Sequence, residues 1–199
     1  DKIIIPLKTL GYQLKIVYVL KSIENKDFKK KYFGEDIFFS FKEPEYFDFE
    51  LYNLIKKGKD IHDDNFKSLG NLLYQLMKIK LSSQIVNYSD YSRVVFCRDD
   101  LYFKDYLNWE KIIELSSKRV ILSQWFWNNG LSERFLVSNN VHSNLISNRI
   151  EDVPSLLKHN INWNGEMLMK FIFDKNRIPF KSMNIKFFRV RNKDLIVKE

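Results

Sequence analysis

The densest chemistry in the chain lies between Ser92 and Phe103, Ser-Arg-Val-Val-Phe-Cys-Arg-Asp-Asp-Leu-Tyr-Phe. A short apolar run, Val94 to Cys97, delivers Arg98, Asp99 and Asp100 to its C-terminal end, and apolar residues resume at Leu101. In an open α/β sheet, ligands bind just beyond the carboxyl ends of the strands. Two carboxylates fixed there suit Mg²⁺ or Mn²⁺, hard ions that prefer oxygen and bridge to substrate phosphates. The plainer alternative is a solvated turn whose carboxylates are neutralised by Arg98. Cys97, inside the apolar run, reads as a buried packing residue. As the sole cysteine it excludes an internal disulfide framework and fits a reducing compartment.

Other candidate groups are spread along the chain. Glu133 stands next to a counter-charge, Arg134, and Glu166 follows the turn residues Asn164 and Gly165. Both are candidate functional carboxylates. The bland alternative for Glu166 is the first turn of a helix, where the dipole favours an acid. Trp125-Phe126-Trp127 is an aromatic patch. His62-Asp63-Asp64 reads as a solvent-facing helix cap rather than a metal cluster. Several chemistries are missing from the sequence: it has no phosphate-loop or dinucleotide glycine fingerprint, no zinc-spaced Cys/His set and no Gly-x-Ser-x-Gly elbow.

The elements that must position these groups follow from hydrophobic periodicity. Ile3 to Leu7 reads as a first, buried strand. The loop Lys8-Thr9-Leu10-Gly11 follows it, with a glycine that permits a tight turn or close ligand approach. Residues 13–24 have near-helical apolar spacing, with a strand over Ile16 to Leu20 as the alternative. Asp36 to Phe41 is a strand that ends before Pro44, and residues 50–57 form a short helix. The clearest helix spans about Asn65 to Asn87, with Leu69, Leu72, Leu73, Leu76 and Met77 as its apolar stripe. A second stripe, Asn71, Gln75, Lys78 and Ser82, faces either solvent or a nucleotide. Further strands are Val94–Cys97, Val120–Leu122, Phe135–Ser138 and Lys186–Arg191. The first is expected in a sheet interior because its run is continuously apolar. Helices fall at 142–148, 153–160 and 164–173. This alternation predicts a single α/β domain over residues 1–199, a mixed, mainly parallel sheet with helices on both faces.

The composition agrees. The 199 residues suffice for one domain, with 45% hydrophobic and 29% charged residues, and no apolar run is long enough to span a bilayer. A net charge of +8 favours anionic partners such as nucleotide phosphates, acidic lipid headgroups or nucleic acid. The lysines are scattered, apart from Lys29-Lys30-Lys31.

Taken in order, five segments form a series: the helix with Asn71 and Gln75; Arg98-Asp99-Asp100; Gly130-Leu131-Ser132-Glu133-Arg134-Phe135; Asn164-Gly165-Glu166; and Phe188-Arg189-Val190-Arg191. The series resembles small GT-A-type glycosyltransferases of bacterial surface polysaccharides and of large, chlorella-virus-like DNA viruses that glycosylate their capsids. In that pattern the segments read Arg-Pro-Asp, Gly-x-x-Asp-Arg-Phe and His-Pro-Glu, followed by a basic last strand. Asp99 replaces the proline, Glu133 the aspartate, and Asn164-Gly165 the His-Pro. The resemblance covers about residues 65–191. It implies a Rossmann-like GT-A fold moving a hexose from a nucleotide diphosphate sugar, UDP favoured, to a glycan or protein-linked acceptor. It further implies Mn²⁺ or Mg²⁺ on Asp100 with Asp99 as helper, donor contacts from Arg98 and Asp99, and catalytic carboxylates Glu133 and Glu166, with Glu133 preferred as general base. Trp125-Phe126-Trp127 would then be an apolar platform for a sugar face, with a place in the core as the alternative. Lys8, Thr9, Gly11, Asn71 and Gln75 are the nucleotide-contact candidates. The expected setting is a bacterial cytoplasm or a virus-infected host cell, and the basic surface is compatible with peripheral membrane association. The rival reading is a metal-dependent nucleic-acid enzyme or basic nucleic-acid-binding domain. It draws on the charge, the 16% aromatic content and the aspartate pair. No dense basic stripe and no Asp…Glu-x-Lys set supports it. A sugar-binding or scaffold domain without catalysis is the third.

Overall fold

A computed structural model describes residues 2–21, 37–41, 48–58, 60, 63–98, 100–124, 130–159, 164–191 and 195–197. In chain order its helices are α1 (Ile4–Thr9), α2 (Phe49–Lys56), α3 (Lys67–Ile85), α4 (Trp109–Ser116), α5 (Asn140–Ser147), α6 (Val153–Lys158) and α7 (Gly165–Lys175). The strands are β1 (Val17–Lys21), β2 (Ile37–Phe41), β3 (Val94–Cys97), β4 (Leu101–Phe103), β5 (Val120–Ser123), β6 (Phe135–Ser138), β7 (Phe180–Met183), β8 (Phe187–Arg191) and β9 (Leu195–Val197). Short 3₁₀ turns occupy Tyr88–Asp90 and Arg149–Asp152. The class is mixed α/β. Among the described residues, no helix is long and apolar enough to cross a membrane.

The chain packs as two compact units. One comprises residues 1–14, 88–146 and 165–199, and the other residues 15–87 and 147–164. In the second, β1 and β2 pair in parallel, with Val17 opposite Ile37. Helix α3 packs on β1 and on the 149–152 turn, and α2 packs on α6. Leu73 and Leu76 of the expected stripe are fully buried, as are Val153 and Leu156 of α6. The start of α3 is held by acids. Asp60 accepts from the amides of Asp64 and Phe66, and Asp64 accepts from the amide of Ser68. Asp64 thus satisfies a first-turn amide of α3, although the N-cap position itself is Phe66 and Asp64 is half-buried rather than solvent-facing; His62 lies outside the described residues.

The first unit contains a four-stranded sheet of order β3-β6-β5-β7 and a three-stranded sheet of order β4-β8-β9. Its core gathers Leu7, Phe103, Trp109, Ile112, Ile121, Phe135, Val137, Ile185 and Phe187. Helix α4 lies on β5 and β6. It is started by Asn108, whose side chain accepts from the Lys111 amide, and it inserts Trp109 and Ile112 against the sheet. Phe103 packs edge-on against both Phe135 and Phe187, which joins the two sheets' side chains in one core.

Four expectations are corrected. Ile3 to Leu7 does not form a strand: residues from Ile4 are helical, and only Leu7 is fully buried while Ile5 is exposed. Pro6 sits in the first helical turn, where an amide has no intrahelical partner to lose, so the β-branched run gains more from one buried leucine than from strand pairing. The sheets are not mainly parallel. Only β1/β2 and β5/β7 are parallel, whereas β3/β6, β5/β6, β4/β8 and β8/β9 are antiparallel. Only 11 residues separate the end of β5 from the start of β6, fewer than the dozen or more that a crossover to a parallel neighbour needs. Strand β3 stands at the end of the described sheet order, with half-buried residues, and β5 takes the fully buried interior place. Cys97, at the end of β3, is exposed, and its thiol donates to the Arg98 carbonyl.

Candidate functional site

Sheet direction locates the site. Because β6 is antiparallel to both β3 and β5, and β7 is parallel to β5, strands β3, β5 and β7 all run the same way. The ends of β3, β5 and β7 and the beginning of β6 therefore share one edge. Cys97 pairs with Phe135, and the next amide, Arg98, donates to the Arg134 carbonyl at 3.1 Å. On the far side, the Gln124 amide donates to Met183 at 2.7 Å. Carboxyl ends of strands are where open α/β sheets bind ligands. Here that edge carries Arg98, Asp100, Glu133 and Arg134.

Asp100 is held by two arginines. Arg98 grips it bidentately, Nε to Oδ1 and Nη2 to Oδ2, both at 2.8 Å. Arg189 of β8 adds an Nε–Oδ2 bond of 3.1 Å. The last contact follows from strand pairing, since Leu101 faces Arg189 and the Val190 amide donates to the Asp100 carbonyl. Burial pushes the Asp100 carboxyl up, but the two guanidiniums outweigh it and hold it below the ordinary aspartate value.

Glu133 and Glu166 are brought together by two glycines. A Cβ on Gly130 would stand 2.5 Å from the backbone carbon of Glu166, and the Leu131 amide donates to the Glu166 carbonyl at 2.9 Å. Reciprocally, a Cβ on Gly165 would run into the Glu133 carboxylate. Gly165 is the first residue of α7, so the Glu133 carboxylate lies at the positive end of a helix. Behind Glu133, the buried Ser132 and Ser123 hydroxyls share a 2.6 Å hydrogen bond that ties this loop to β5. Burial, then the negative charge of Glu133, push the Glu166 carboxyl above its ordinary value, with Arg134 and Arg98 opposing. Two carboxylates with arginines around them can move a proton, and three guanidiniums can meet an anionic leaving group.

The other nominated residues lie elsewhere. Lys8 and Thr9 are exposed in the last turn of α1, and the Thr9 hydroxyl donates to the Ile5 carbonyl. Gly11 has the positive φ of +83° anticipated for a tight turn, with open space around it. Asn71 and Gln75 lie on α3 in the other unit, Asn71 exposed and Gln75 half-buried. Asp99 and Trp125 to Trp127 fall outside the described residues. Arg189 was not nominated individually, although the basic last strand was its signal. Gly130 is the glycine of the segment that resembles Gly-x-x-Asp-Arg-Phe, whereas Gly165 has no signal beyond its Asn-Gly turn chemistry.

The resemblance implies a metal on Asp100 with Asp99 as helper. The Asp100 carboxylate accepts three charge-assisted hydrogen bonds, two from Arg98 and one from Arg189, each worth about 1.5–3 kcal/mol, so an ion there would compete with two guanidiniums for its oxygens. Among the described residues, no three His, Cys, Asp or Glu side chains are grouped to hold an ion. No family model, no curated protein and no solved structure matches the chain.

Proposed function

We propose that the chain is a glycosyltransferase that moves a hexose from a nucleotide diphosphate sugar, UDP favoured, to a glycan or protein-linked acceptor. One observation carries the reading. Residues of the segments whose order suggested the family, Arg98 and Asp100, Gly130 to Phe135, Gly165 and Glu166, and Arg189, converge on one strand-end edge although up to 91 positions separate them. In the proposed reaction the bond from the anomeric carbon to the β-phosphate oxygen breaks, and its electron pair stays with the phosphate. The acceptor oxygen bonds to the same carbon and its proton passes to a carboxylate.

Glu166 and Glu133 are the two candidates for that carboxylate. Base efficiency rises as a group's pKa approaches the working pH, so the raised carboxyl of Glu166 makes it the better base of the pair. Glu133 then orients the acceptor and keeps Glu166 basic through its charge. In this reading Lys8, Thr9 and Gly11, of the same unit as Glu133 and Glu166, remain the proposed contacts for the nucleoside.

The test is transfer and hydrolysis of UDP-, GDP- and CMP-linked sugars by the full chain. Glu166→Gln should cut turnover by about 10²–10⁴-fold while sparing nucleotide affinity. If no nucleotide sugar is consumed or bound, and salt-sensitive binding to DNA is found instead, the nucleic-acid alternative replaces this reading.

A further inference from the structure

We propose that Ser123 and Ser132 are positioning residues of the candidate site: their buried hydroxyl pair fixes where the Glu133 carboxylate stands against the start of α7, and through it the charge that Glu166 faces. The consequence for transfer rests on the glycosyltransferase reading above, whereas the geometry does not.

The segment that carries Glu133 is pinned on both sides through its backbone. The Leu131 amide donates to the Glu166 carbonyl at 2.9 Å, and the Arg134 carbonyl accepts from the Arg98 amide at 3.1 Å. Any residue but proline could make such bonds. Between them, the Ser132 hydroxyl meets that of Ser123 at 2.6 Å, and both serines are 1% exposed. Ser123 is a firm anchor. It ends β5, whose four residues are all buried, and it pairs with Met183 of β7. The next amide, Gln124, donates to the Met183 carbonyl. The β5–β6 ladder stops one residue earlier, at Leu122 opposite Leu136, so the hydroxyl pair ties the incoming chain to β5 where backbone pairing has ended.

A hydroxyl in a dry site is costly unless paired, and its hydrogen bond is directional. Two alanines would fill the same place without holding a direction. Glu133 follows Ser132 directly, and its carboxylate occupies the place that a Cβ on Gly165 would take. Glu166 is the next residue of α7. Burial raises its carboxyl first and the charge of Glu133 next, while Arg134 and Arg98 oppose both from the same edge. The push from Glu133 falls with distance. A Glu133 that swings away therefore lets Glu166 titrate lower, toward its ordinary value, and makes it a weaker base.

The test follows the Glu166 carboxyl by carbon-13 NMR against pH in the full chain, with Glu166→Gln to assign its signal. Ser132→Ala and Ser123→Ala should each bring the titration down toward 4.5, and Glu133→Gln should do the same. Adding Ser132→Ala to Glu133→Gln should change it no further, because the serine acts through that charge. The double variant Ser123→Ala with Ser132→Ala leaves no hydroxyl buried without its partner, so it should fold nearly as well as the parent and still titrate low. Ser138→Ala removes half of another buried hydroxyl pair, Ser138 with Ser143 at 2.6 Å, at the far end of β6 from Glu133. It should leave Glu166 where it is. Parent-like titration of Glu166 in the serine variants, or an equal fall in Ser138→Ala, would overturn the proposal. In the transfer assay, Ser132→Ala should lower kcat by about tenfold to a hundredfold with KM little changed, as misplaced catalytic groups do. If no nucleotide sugar is turned over, the functional reading fails, while the titration still decides whether the serines place Glu133.

Discussion

At the scale of single residues, the site is a set of charges whose protonation is tied to folding. The Glu166 carboxyl is raised by burial and by Glu133, so the folded chain holds that proton more tightly than the unfolded chain does. Unfolding then releases a proton in the window from the ordinary value of 4.5 up to the raised one, and stability falls as pH rises through it. Glu166→Gln should therefore melt higher than the parent at neutral pH and lose that downward slope, measured as melting temperature against pH. Asp100 has the opposite sign. Its carboxyl is lowered, so its contribution is full above the ordinary 3.8 and is lost as pH falls through the lowered value. Asp100→Asn should cost about 1–3 kcal/mol in denaturant unfolding at neutral pH, because two guanidiniums lose their partner. The sequence offers Arg98 as the neighbour that neutralises Asp100 but not Arg189, which lies 89 positions away and is brought near only by strand pairing.

At the scale of elements, two glycines at the starts of a loop and a helix control how the acid pair is built. Gly130 faces the backbone of Glu166, which has no room to move. Gly130→Ala should destabilise by about 1–3 kcal/mol, as overpacked sites do, and should displace Glu166. Gly165 faces only the end of the Glu133 side chain, which can swing aside. Alanine is also the better helix residue by about 1 kcal/mol, and Gly165 opens α7. Gly165→Ala should thus leave stability unchanged or improved while it removes Glu133 from its place and lowers transfer. Chemical denaturation beside a transfer assay separates the two variants; equal losses of stability in both would contradict the geometry. Long-period elements such as α3 were legible from their apolar stripe, and β3, β5 and β6 from short apolar runs. The helix at Ile4–Thr9 was not, because a run of isoleucines carries the same local preference whichever state the core selects.

At the scale of the whole molecule, each compact unit is assembled from separated stretches of chain. The unit built on α3 draws its remaining apolar cover from residues 147–164. A fragment of residues 15–87 alone would lack α6 and the 149–152 turn, on which α2 and α3 pack. It should lack a cooperative thermal transition by circular dichroism, whereas the full chain should show one. By itself the sequence determined the α/β class, the strand that presents Arg98 and Asp100, the long helix, and the candidate groups Glu133, Glu166 and Asp100. These depend on local periodicity and side-chain chemistry, which are readable within a window of a few residues. Tertiary structure alone decided which strands run antiparallel, that Cys97 is exposed, that Arg98 and Arg189 share Asp100, and that Gly130 and Gly165 bring Glu133 against Glu166. Each of these is a meeting of residues distant in the chain, and the free energy that selects it comes from core packing and strand pairing rather than from any local preference.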